Sequence, residues 1–263
     1  MRFKITFNRT TKQRMLPMDY QYYISAWIYN VLEQADSDFA RFLHEEGYGQ
    51  SASKLYKLFC FSRLNFGKPK LWKEKKLFEI SAHEISLLIS FDIHEAATNF
   101  IKVLFMSQEF YLGDKFNGID FKITGVEALP EPEFNETMAY QLLTPWIVSC
   151  KDENQKYPQY LKPDDVRFID LAKKHIAEKY NNTRNTSAID TSRINLKQLS
   201  DFKRAGYVVK PGSKQESRIV GNVFDFELTA PVEVQRMIWN AGISEKSSSG
   251  FGWCEEIDGV EKD

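Results

Sequence analysis

The chain has 263 residues, of which 43% are hydrophobic and 27% charged, with a net charge of −1. This is the profile of a folded globular protein, not a disordered one, with room for one large domain or two ordinary ones. No apolar run approaches the roughly 18 residues of a membrane span, and Cys60, Cys150 and Cys254 stand singly and far apart. That spacing argues against a disulfide framework or a cysteine-based zinc site and points to the cytoplasm.

In chain order, "RFKITF" (2–7) alternates with period two and reads as a strand, not a signal peptide. "DYQYYISAWIYNVLEQA" (19–35) places apolar residues at helical spacing behind Asp19 as N-cap. A second short helix, "DFARFLHEE", follows Asp36 or Ser37 and stops at Gly47. "KLFCFSRL" (57–64) and "LFEISAHEISLLISF" (77–91) are rich in strand formers, "IHEAATNFIKVLFMSQ" (93–108) is an amphipathic helix, and "FKITGVEAL" (121–129) is a strand. After the Pro- and Glu-rich break "PEPEFNE" (130–136) the order repeats. "YQLLTPWIVSC" (140–150) is a strand and "KPDDVRFIDLAKKHIAEKYNN" (162–182) a helix starting at Pro163 and Asp164. "RIVGNVFDFELTA" (218–230) is strand-like, "PVEVQRMIWNAG" (231–242) a helix, and "GWCEEI" (252–257) a strand. Each half therefore reads as βαββαβ. The expected fold is α+β, with two tandem ferredoxin-like (RRM-like) domains at 1–129 and 137–263. Sheets of this kind often bind RNA, but a fold does not establish a function.

The charge is uneven. "RLNFGKPKLWKEKK" (63–76) holds six basic residues and one acid, and 202–218 is also basic. Such runs are either solvated faces or a phosphate-binding surface that includes Arg63, Lys68, Lys70, Lys203 and Arg204. The three His-Glu dipeptides, at 44, 83 and 94, all fail the HExxH test, and no GxSxG or GxxxxGK[ST] occurs. No metal and no cofactor are expected. Histidine is the remaining acid–base candidate, with four in the chain. His83, His94 and His175 read as structural or solvated. His44 falls in the last turn of its short helix, where the helix dipole, Glu45 and Glu46 favour the imidazolium.

"MRFKITF", "YQYYISAWIYNVL" (20–32), "FARFLHEEGY" (39–48) with "YKLFCFSRL" (56–64), and the closing "AGISEKSSSGFG" (241–252) together carry a resemblance. The chain resembles the CRISPR-associated endoribonucleases that cut the repeats of precursor CRISPR RNA, the Cas-six family. The last stretch matches the family's glycine-rich signature, and the family has two ferredoxin-like domains. The resemblance implies a catalytic set of Tyr29, His44 and Lys57, with Lys54 a rival for the lysine because ten residues separate Lys57 from Gly47. It also implies that the ribose 2′-hydroxyl attacks its own phosphate without a metal. His44 would act as general acid or base, most simply as base on the 2′-hydroxyl, Tyr29 or water would move the second proton, and Lys57 would steady the phosphorane. The products would be a 2′,3′-cyclic phosphate and a 5′-hydroxyl.

In the glycine-rich loop, Lys246, Ser248, Ser249, Gly250, Phe251 and Gly252 are the expected RNA contacts, the glycines letting a phosphate chain approach the backbone. The expected partners are CRISPR repeat RNA and other CRISPR effector subunits, and the protein is a monomer or homodimer. Two readings stay open beside this one: a non-catalytic RNA-binding subunit, and an unrelated ferredoxin-like enzyme.

Overall fold

The structure is a computed structural model that describes residues 1–42, 47–48, 56–151, 157–184 and 187–257; His44 and Lys54 lie outside the described residues. The first half runs β1 (Arg2–Arg9), β2 (Met15–Pro17), α1 (Tyr20–Ala35), α2 (Ser37–Arg41), β3 (Phe59–Phe61), β4 (Lys70–Trp72), β5 (Leu77–Glu79), β6 (Glu84–Phe91), α3 (His94–Met106), β7 (Glu109–Gly113) and β8 (Gly118–Leu129). Its main sheet has the order β3-β6-β1-β8-β7. Removing β7 leaves the ferredoxin-like order, all antiparallel. Period-two alternation sends Ile5 and Phe7 of β1 inward, where they meet the buried Ile24, Trp27, Ile28 and Val31 of α1 and Phe100 of α3. β2, β5 and β4 form a separate small sheet with β4 at its edge.

The second half runs β9 (Thr137–Leu142), β10 (Ser149–Cys150), β11 (Gln159–Tyr160), α4 (Phe168–Thr183), β12 (Asn195–Gln198), β13 (Lys203–Val209), β14 (Ser217–Val223), β15 (Asp225–Thr229), α5 (Val232–Ala241) and β16 (Cys254–Glu256). The sheet order β12-β15-β9-β16 repeats the ferredoxin-like plan, and the β13–β14 hairpin is inserted between its second and third strands. The two tandem ferredoxin-like domains are thus present. Among the described residues no helix is long and apolar enough to cross a membrane.

Several local expectations needed correction. The segment 218–230 is two strands, because β14 pairs with β13 whereas β15 pairs with β9 and β12; buried Phe224 marks the switch. Strand 140–150 ends at Leu142. α4 starts at Phe168, not at Pro163. The Asp165 carboxylate accepts from the Arg167 backbone N–H at 3.0 Å and from its guanidinium at 2.8 Å, closing a turn that delays the helix. Asp19 does precede α1 but makes no side-chain cap; its Oδ1 instead accepts from Val208 N–H at 2.9 Å, tying the hairpin to the first domain. β2, β4 and β7 escaped the sequence reading, since three- to five-residue strands give too little alternation to read, and the segment 77–91 is two strands, β5 and β6.

The second sheet also departs from the RNA-binding expectation. On the face away from α4 and α5, Asp225, Gln141 and Glu255 form one row and Glu227 the next, with Lys197 opposite Glu227. An acidic face of this kind repels a phosphate chain.

Candidate functional site

The domains meet where the C-terminal end of α5 comes down on β3. Gly242, with φ 71°, ends α5. The chain then forms a 3-10 turn, Ser247–Ser249, and Gly250 leaves it in the left-handed conformation. This turn packs against α1: Ser25 Oγ donates to the Ser248 carbonyl at 2.9 Å, and the Tyr29 hydroxyl hydrogen-bonds the Ser248 side chain. The Tyr29 ring lies edge-on to Phe59 of β3 at 5.6 Å. Burial pushes the Tyr29 phenol up to about 12, with the Ser248 contact working the other way, so it is a proton holder at neutral pH.

Beside the turn is a cavity of about 190 Å³ lined by Lys57, Lys246, Lys179 and Ser247, Ser248 and Ser249. Half-buried Lys57 enters it just before β3, and its partial burial lowers the ammonium pKa. Its side chain also lies against Gly47: a Cβ built on that glycine, whose φ is 67°, would stand 3.1 Å from the Lys57 Nζ. Exposed Lys246 reaches the same cavity from the second domain. Tyr29, Lys57, Lys246, Ser248 and Ser249 are therefore brought together across the two domains.

Sequence reasoning passed over Lys179. It is 2% exposed, donates to the Ala241 and Gly242 carbonyls at 2.9 and 2.7 Å, and lies 3.5 Å from Ser247 Oγ. It shares the buried side of α4 with Phe168, Ala172 and Ile176. A lysine on an apolar helical face was the signal that could have found it. Of the other histidines, His83 and His94 are exposed, and His175 is buried with its ring against Tyr56.

The glycine-rich loop has a different role from the one expected. Phe251 is fully buried and stacks on Tyr207 at 4.5 Å. Gly250 N–H donates to Ser247 O and Gly252 N–H to Pro145 O, so those backbone donors are already used. A Cβ at Gly250 would stand 2.5 Å from the Phe61 ring, and one at Gly252 2.4 Å from the Ser244 nitrogen. The glycines let protein pack on protein. Gly250, Phe251 and Gly252 hold the loop, while Lys246, Ser248 and Ser249 line the cavity.

The basic residues divide. Arg63 joins Lys76 and Arg218 around a groove of about 460 Å³ between the small sheet, the start of α1 and the β13–β14 hairpin, with Tyr20, Phe78 and Gly250 also in its lining. Lys68 and Lys70 lie outside that groove on or beside β4. Lys203 and Arg204 open β13, and Arg204 donates to Tyr160 O at 3.3 Å. Among the described residues no three His, Cys, Asp or Glu side chains converge as a metal site.

Residues 15–126 match the family described as "CRISPR-associated protein Cas6, N-terminal", and residues 129–256 match "CRISPR associated protein Cas6, C-terminal". The chain is 27% identical over 201 residues to an endoribonuclease-like Cas6 protein of Pyrococcus furiosus, covering 75% of this chain and 78% of that protein. It is 24% identical over 260 residues to the CRISPR-associated endoribonuclease Cas6 of the same organism, covering 96% and 88%. A solved structure described as a RAMP protein binding different RNA substrates superposes with a TM-score of 0.78 at 22% identity, over 98% of this chain and 100% of that one. With both halves matched in order and nearly the whole length covered, the chain belongs to the Cas6 family of CRISPR-associated proteins.

Proposed function

We propose that this protein is a metal-independent endoribonuclease that cuts CRISPR repeat RNA by attack of a ribose 2′-hydroxyl, leaving a 2′,3′-cyclic phosphate and a 5′-hydroxyl. The observation that carries the reading is the meeting of Tyr29 and Lys57 with Lys246 and Ser248 beside one cavity. The names of the relatives, which include an endoribonuclease and an RNA-binding protein, agree with it.

The reaction needs a base for the 2′-hydroxyl, positive charge for the pentacoordinate phosphate, and a proton for the departing 5′-oxygen. His44 is assigned the base, since an imidazole titrates near neutrality. Gly47, three residues further along the sequence, packs on the Lys57 side chain, which favours His44 as the third member of the set. Tyr29, holding its proton up to about pH 12, suits the donor role on the leaving oxygen. Lys57 is taken as the catalytic lysine because it lines the cavity. Partial burial strips water from its ammonium and strengthens its field on a phosphate. Lys246 holds a neighbouring phosphate, and the groove with Arg63 and Arg218 takes RNA flanking the cut.

The test is cleavage of a repeat-containing RNA in EDTA. Wild type should cut, and a 2′-deoxy substitution at the cut should stop it. H44A should abolish cleavage with binding retained, and Y29F should slow it about 100-fold. Full activity in H44A would sink the assignment. Tight binding by wild type without any cutting would instead identify a repeat-RNA-binding subunit of a CRISPR ribonucleoprotein.

A further inference from the structure

The β4–β5 hairpin presents a surface that the cavity and the groove do not use. β4 is the edge of the small sheet, paired with β5, and all three of its residues, Lys70, Leu71 and Trp72, are exposed. Leu71 is 51% and Trp72 36% exposed. Lys70 Nζ lies 4.6 Å and Lys75 Nζ 5.4 Å from the Trp72 ring centre. The Trp72 indole N–H donates to Glu79 Oε2 at 3.0 Å, which fixes the ring's orientation. Across residues 68–79 five lysines stand against Glu74 and Glu79.

Lysines on an edge strand discourage pairing with another chain. That does not account for an exposed tryptophan and leucine on the same edge, which would promote such pairing. An oriented indole flanked by exposed cations, Lys70 also lying 3.8 Å from Glu79 Oε2, is instead the arrangement that holds single-stranded nucleic acid: a base stacks on the ring and its phosphates take the lysines. The competition favours the base. Stacking contributes about 5- to 150-fold in affinity per base, whereas an exposed lysine–tryptophan contact contributes about two- to fivefold. A displaced lysine also regains a partner in the adjoining phosphate.

We propose that Trp72 is a base-stacking platform for single-stranded RNA, with Lys70 and Lys75 as its phosphate clamps. This rests on the reading that the protein binds RNA, and extends it to a site apart from the cavity and the groove.

The chain has five tryptophans; Trp27, Trp146, Trp239 and Trp253 are buried, so a change in intrinsic fluorescence on ligand binding reports largely on Trp72. Titration with an unstructured oligo(rA) of about 12 nucleotides should quench wild-type emission, and W72F should lose that quenching while keeping its melting temperature. W72A should bind the oligonucleotide about tenfold more weakly, and W72F about two- to threefold. Heparin, a polyanion without bases, should bind W72A and wild type alike. Undiminished affinity in W72A, or quenching that survives in W72F, would overturn the stacking site while leaving RNA binding intact. Equal dependence of heparin on Trp72 would overturn it in favour of a general polyanion surface. Wild-type protein that binds no RNA would overturn both readings.

Discussion

A lysine on the buried side of α4 must find partners for its N–H donors, and Lys179 finds two carbonyls at the C-terminal end of α5. A cation there also opposes the negative end of the helix dipole. Burial is the larger influence, lowering Lys179 from 10.5 to about 8. Below about pH 8 folded and unfolded chains both hold the proton, and stability does not vary with this group. Between about 8 and 10.5 the unfolded chain binds a proton the folded chain has released, so stability rises with pH. Wild type should therefore gain on K179M across that window by up to about 1.4 kcal/mol per pH unit. Urea denaturation of both proteins at about pH 7.5 and about pH 9.5 measures it. A constant gap would show that Lys179 keeps an ordinary pKa. Its charge was evident in the sequence. Its position beneath the serine turn was not, because that contact joins residues more than 60 positions apart.

At the scale of the element, the closing loop shows why a glycine pattern is easier to find than to interpret. Gly242, Gly250 and Gly252 all have positive φ, as their spacing suggested. The sequence reading assigned that freedom at Gly250 and Gly252 to RNA, yet the space there belongs to Phe61 and Ser244. Gly252→Ala should cost about 2–4 kcal/mol, through strain and the clash with the Ser244 backbone. Gly212 is the internal control: its φ of 74° is similar, but nothing lies within 4 Å of its Cβ position. Gly212→Ala should cost only about 1–2 kcal/mol. Chemical denaturation compares the two, and equal losses would mean that packing around Gly252 adds nothing.

Across the whole molecule, buried polar contacts help to join the two domains. Arg2, 3% exposed, donates to Trp239 O at 3.0 and 2.7 Å and to Cys254 O at 2.8 Å. Its guanidinium carbon lies 3.4 Å from the Trp239 ring centre and 4.1 Å from that of Trp253. Burial draws its pKa down to about 10. A strand-one arginine thus fastens the first sheet to α5 and β16, and Arg184 pairs with Asp92 across the same boundary. Arg2→Ala leaves buried carbonyls without donors and should cost about 3 kcal/mol or more. Because Tyr29 and Lys57 reach Lys246 only across this boundary, cleavage should weaken with it. Thermal unfolding and cleavage assays of R2A test both. A stable, fully active R2A would mean that the apolar contacts alone hold the site.

Local order made much of this protein legible. The alternation of β1, the helical spacing of α1 and α3, and the glycine after α5 rest on interactions a few residues apart, so the tandem ferredoxin-like plan could be read from the chain. Tyr29 and Lys57 became candidates through the family resemblance and not through local order. Tertiary structure alone decided which side chains share a cavity, that the loop's glycines face protein, that the second sheet's open face is acidic, and that Lys179 and Trp72 stand where they do. Those facts depend on strand register and on the packing of one domain against the other. Such contacts join residues far apart in sequence, and no short stretch of the chain encodes them.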